Sequence, residues 1–82
     1  MNNFRTLRLK KEMSCSELAE KINVKEETIR KYERSIRVPS LKVTLRLKKA
    51  LGCTDDEFLD AYAYHSKEHL IKNYNGRMIN KR

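Results

Sequence analysis

The chain is poor in the residues that build turns and large cores. Its 82 residues include two glycines, one proline and no tryptophan. So little turn material argues against a succession of hairpins and favours helices joined by short connections. No apolar run is long enough to cross a bilayer, and no secretory-type apolar segment follows Met1. Cysteine is scarce too. Cys15 and Cys53 belong to no CxxC pair and are read as free thiols in a reducing cytoplasm. His65 and His69 stand four apart with no third ligand close in sequence. That spacing argues against a metal site, and both are expected to be solvated on a late helix. No nucleophile, base and orienting acid recur at a recognisable spacing, and a core this small rarely frames a cleft. No enzyme activity, cofactor or membrane attachment is expected.

What the chain does have is positive charge. Nineteen Lys/Arg against eleven Asp/Glu leave a net charge of +8. Residues 1–40 hold ten of the cations and six of the acids, residues 41–64 balance at four and four, and residues 65–82 hold five against one. A basic surface suits a polyanion, because each phosphate neutralised releases a condensed counterion. Surplus lysine also keeps small proteins soluble, so charge alone leaves the two readings even.

Residues 14–33 break the tie. Leu18, Ala19 and Ile22 share one face of a short helix, and Ile29 and Tyr32 give the next one an apolar stripe at i, i+3. Ala19 lets the two backbones approach, and Asn23 can adopt the left-handed conformation that ends a helix. Lys25, Glu26, Glu27, Thr28, Arg30, Lys31 and Arg34 are left facing outward. A helix pair whose second member protrudes and is polar is the unit that reads the major groove of DNA. Around it the pattern predicts a first helix over 3–12, with Phe4 and Leu7 inward. The third helix, 25–34, lacks a good N-cap. A fourth over 41–51 follows Pro39 and Ser40 and ends at Gly52. A fifth starts near Asp55 behind the Thr54–Glu57 capping box. Ser14 and Glu17 form another such box. Leu70, Ile71 and Tyr74 either extend the fifth helix or build a sixth, and Asn75-Gly76 is expected to break it, with disorder beyond.

The order of Leu7-Arg8, Met13-Ser14, Glu17-Leu-Ala-Glu-Lys-Ile22, Thr28-Ile29, Tyr32-Glu33-Arg34, Pro39-Ser-Leu41 and Lys49-Ala-Leu-Gly52 resembles the lambda-repressor/Cro-like helix-turn-helix family. The likeness covers about residues 4–59. It implies an all-α, five-helix domain, and the charge pattern divides the chain into that domain over residues 1–64 and a basic extension over 65–82, a dimerisation helix followed by a disordered end. It also implies a homodimer that binds a double-stranded DNA operator, most often to repress transcription in phages, mobile elements or bacteria. Carried over by position, Lys25, Glu26, Glu27, Thr28 and Lys31 read bases. Ser14, Cys15, Arg30, Arg34 and Arg37 hold phosphates. Arg8 and Glu33 form a buried structural ion pair. Cys15 replaces the usual glutamine and Ser35 the usual glycine.

Leu59, Tyr62, Leu70, Ile71 and Tyr74 remain once the first four helices are packed, and are assigned to the dimer interface. Truncation after Ala61 is accordingly expected to leave a folded monomer. The competing class is a protein-interaction module, an antitoxin or a regulator bound by a protein antagonist through its tail, since exposed apolar stripes usually mark interfaces.

Overall fold

The computed structural model describes the backbone of residues 2–80 and the side chains of residues 2–72. Five helices follow one another: α1 (Phe4–Lys10), α2 (Cys15–Ile22), α3 (Glu26–Glu33), α4 (Leu41–Leu51) and α5 (Asp55–Asn80). There is no strand among the described residues.

Most helix starts are fixed by a side chain that satisfies an orphan amide. Asn3 accepts from the Thr6 N–H at 2.8 Å, while Thr6 Oγ1 accepts from the Asn3 N–H at 3.0 Å. Asn3 is therefore the cap of α1 and not its first residue. Ser14 and Glu17 form the same reciprocal box on α2, and Thr54 and Glu57 form it on α5. Ser40 caps α4, whereas Lys25 gives α3 no side-chain cap. Helix ends use left-handed residues at Asn23 (φ 60°) and Gly52 (φ 58°). α1 stops at Lys10, short of residue 12, and Glu12 turns the chain at φ 55°.

The core is one cluster: Phe4 and Leu7 of α1, Leu18, Ala19 and Ile22 of α2, Ile29 and Tyr32 of α3, Leu47 and Leu51 of α4, Phe58 and Ala61 of α5, and Met13 from the first turn. α2 packs on both α3 and α4, so α3 is braced from behind and its opposite face is free.

Two expectations change. His65 is buried at 1 % exposure and is no solvated residue. It lies seven residues after Phe58, on the same face of α5 as Phe58 and Ala61, so the core stripe runs one turn further than its aliphatic members show. The backbone also stays helical through Asn75-Gly76 to Asn80, making one long α5 in place of a break. A glycine inside a helix costs only about 1 kcal/mol and does not by itself stop one. Tyr74 lies outside the described side chains.

Candidate nucleic-acid interface

The site is built on α2 and α3. Asn23 reverses the chain in one residue, and the Val24 N–H bonds back to the Ala19 carbonyl at 3.0 Å, so α3 starts at once and lies across α2. Ile29 and Tyr32 pin its inner face at 1 % and 4 % exposure. The 3.6-residue repeat then leaves Lys25, Glu27 and Arg30 exposed and Glu26, Thr28 and Lys31 half-exposed on the outer side.

The acids on this face are paired with their own helix. Glu26 pairs with Arg30, and Glu27 reaches Lys31 at 3.7 Å, each at i, i+4. Both pairs have the acid N-terminal to the base, the favourable order along the helix dipole. With Lys25 and Arg34 beside them, the surface stays net positive.

Beneath α3, Arg8 Nε donates to Glu33 Oε2 at 2.6 Å and Nη2 to Oε1 at 3.1 Å, a bidentate pair with both side chains under 10 % exposed. Arg8 Nη1 also donates to the Met13 carbonyl at 2.8 Å. The guanidinium thus ties α1, the turn before α2 and the end of α3 together. The Glu33 hydrogen bond raises the Arg8 pKa above its ordinary value, so the charge is permanent.

An open cleft of ≈ 340 Å³ lies over this pair, lined by Arg5, Arg8, Cys15, Arg30, Glu33 and Arg34. Cys15 is the first residue of α2, where the helix dipole and the orphan amides favour an anion. Its Sγ lies 4.0 Å from Glu33 Oε2. Ser14, by contrast, commits its hydroxyl to the Glu17 N–H, and its own N–H bonds the Glu17 carboxylate and lowers its pKa. Arg5 is the residue the sequence reading missed. The available signal was its place three residues before Arg8, on the same side of α1.

The phosphate-side residues assigned from sequence do not all meet. Arg30 and Arg34 line the cleft with Cys15, while Arg37 is exposed on the connection between α3 and α4 and is not part of the cleft lining. The residues assigned to a dimer are also split. Leu59, Leu70 and Ile71 are exposed at 64 %, 49 % and 43 %, whereas Tyr62 packs partly against the core and 6.3 Å from the Phe58 ring.

His65 changes what a shortened chain would be. Its ring stacks on Phe4 at 4.2 Å, accepts the Phe4 N–H at Nε2 (3.0 Å) and faces Ser35 Oγ at 2.7 Å from Nδ1. Burial, helped by Lys72, lowers its pKa to about 4, so it is neutral at ordinary pH. Truncation after Ala61 would remove a core residue and unfold or weaken the domain; it would not simply release a monomer.

No helix of the described residues is long and apolar enough to cross a membrane, and no group of three or more metal-ligating side chains occurs among them. No curated protein and no solved structure matches the chain. A helix-turn-helix family model does match, over residues 4–58, the span from α1 through the first turn of α5. The chain belongs to the lambda-repressor-like helix-turn-helix family of DNA-binding transcription regulators.

Proposed function

We propose that the protein is a sequence-specific regulator that lays α3 in the major groove and acts as a homodimer, repressing transcription in a phage, a mobile element or a bacterial cytoplasm. The observation that carries the reading is the outer face of α3, free of packing partners and bordered by a cleft of arginines at the start of α2. A phosphate in that cleft would meet Arg5, Arg30 and Arg34 together with the amides opening α2. The groove-facing positions are then Lys25, Glu26, Glu27, Thr28 and Lys31. Glutamate accepts from a cytosine amino group, and lysine donates to guanine.

The dimer reading rests on α5. Leu59, Ala63, Ser66 and Leu70 fall in one row at i, i+4, i+7 and i+11, and all but the half-exposed Ser66 are open to solvent. The two small residues between the leucines let a second helix come close. Two reading units about 34 Å apart would reach successive major grooves on one side of the duplex.

Selection from a random duplex pool, followed by titration of the enriched fragment in rising salt, tests the reading. Enrichment of a two-fold symmetric site with steep salt weakening is expected; binding with no enriched sequence refutes base reading. Sedimentation at about 10–50 micromolar, a concentration suited to a weak dimer, should show a two-chain species that Leu70→Glu dissociates. The exposed leucines would equally serve a protein antagonist. That second reading takes over if the full chain stays monomeric both free and on DNA.

A further inference from the structure

The second half of α5 is bonded to the turn that leaves α3. His65, His69 and Lys72 fall at i, i+4 and i+7 and so share one face of the helix. His65 Nε2 accepts from the Phe4 N–H, which leaves its ring proton on Nδ1 to be donated to Ser35 Oγ at 2.7 Å. His69 Nδ1 lies 3.3 Å from the Ser35 carbonyl oxygen and donates to it, and Lys72 Nζ donates to the Arg34 carbonyl. Three successive contacts from one helix therefore converge on two residues, Arg34 and Ser35.

The turn they hold carries a backbone cost. Ser35 adopts φ 59°, a left-handed conformation that a residue with a Cβ takes up at a cost, yet its side chain is buried at 3 % exposure. Inside the turn, the Ser35 N–H bonds the Tyr32 carbonyl at 3.1 Å, and the Ile36 N–H bonds the Lys31 carbonyl at 3.0 Å. Arg34 and Arg37 flank Ser35 and are exposed. Of the three, His65 is the one that packs into the core, against Phe4. His69 and Lys72 lie further out on α5 and reach the turn itself.

We infer that Ser35, His65, His69 and Lys72 are positioning residues for phosphate binding, a strap from α5 that fixes the turn so that Arg34 and Arg37 project towards the DNA backbone. The inference rests on the DNA-binding reading above, and none of the four needs to touch DNA. An arginine on an untethered turn has to be ordered each time it binds and keeps its phosphate contact only part of the time; one on a tethered turn is ordered already in the free protein.

The test compares Ser35→Gly, Lys72→Met and Lys67→Met with the parent in duplex titrations over a range of salt, alongside thermal melts. Glycine takes φ 59° without strain, so Ser35→Gly removes the hydroxyl while easing the backbone. Lys72→Met keeps the stem and removes the donor. Lys67 is exposed on another face of α5, so Lys67→Met measures the effect of one lost charge alone. Ser35→Gly and Lys72→Met should each weaken binding to any duplex by roughly fivefold to tenfold, the loss of about one ordinary hydrogen-bonded contact. The salt slope should fall by about one. Lys67→Met should change affinity less than about twofold, and the Lys72→Met melt should match the parent's. If Ser35→Gly fails to fold, Lys72→Met against Lys67→Met decides alone. Slopes and affinities indistinguishable from Lys67→Met, with a parent that binds steeply, overturn the strap and leave the DNA reading intact. A parent that binds no duplex overturns both.

Discussion

Acidification should destabilise this domain well above the range in which its carboxylates titrate. His65 is buried and neutral, with a pKa near 4 against an ordinary 6.5. Between those values the unfolded chain binds a proton that the folded chain refuses, so stability is intact above pH 6.5 and falls as pH drops towards 4. Each pKa unit corresponds to about 1.4 kcal/mol, so the complete effect is about 3 kcal/mol, of which about 2 kcal/mol is lost between about pH 7.5 and about pH 5. Glu17 and Glu57 do not blur this window. Their pKa values are lowered, that of Glu57 to about 2 by Lys10, so what they contribute is present above about pH 4.5 and is lost as pH falls from there. The assay is urea unfolding followed by circular dichroism. With an m-value of about 1–2 kcal/mol per molar for a chain this small, the midpoint should drop by about 1–2 M over that interval. His65→Gln, which cannot take up the proton, should be less stable at neutral pH but show a nearly flat midpoint. A parent midpoint that does not move, or a glutamine variant that keeps the parent's slope, would show that His65 is not held neutral against Phe4 and Ser35.

The Arg8–Glu33 pair gives a second expectation: Glu33→Ala should cost about 3 kcal/mol in the same unfolding assay, because it leaves a guanidinium buried without its carboxylate. A variant that melts like the parent would mean that solvent already reaches the pair. Reading and holding should also separate on DNA. Arg34→Ala and Arg37→Ala are expected to weaken binding to all sequences alike and to lower the salt slope by about one each. Lys31→Ala and Glu27→Ala should instead shift base preference by about 1–3 kcal/mol at one position. Equal effects of all four on selected and random duplexes would remove α3 from the groove.

Much of the fold was written in caps. Ser14 with Glu17, Thr54 with Glu57, Ser40 and Gly52 mark helix ends by local hydrogen-bond chemistry that needs no tertiary context, and α4 occupies the expected 41–51. Asn23 was readable for the same reason. What escaped was decided at a distance. Whether a histidine is solvated depends on what lies above it, and only the arrival of Phe4, sixty-one residues away, makes His65 a core residue. Arg5 joins Arg30 and Arg34 only because α1 crosses the end of α3. Ser35 hints at a positive φ only through the glycine that its family usually places there, since serine itself has no special tolerance for it; the bond from α5 offsets that cost.

The two acid–base pairs along α3 have a consequence for selectivity. Glu26 and Glu27 already occupy Arg30 and Lys31 in the free protein. In the proposed complex, a random duplex would have to win those cations away from carboxylates that imitate its own phosphates, and would gain nothing in return for the two displaced acids. A duplex presenting an amino group to a freed glutamate recovers the loss. In that complex the carboxylates would act as internal competitors, trimming affinity for unmatched duplex by the small amount an exposed i, i+4 pair is worth and sparing a site that gives the glutamates a partner.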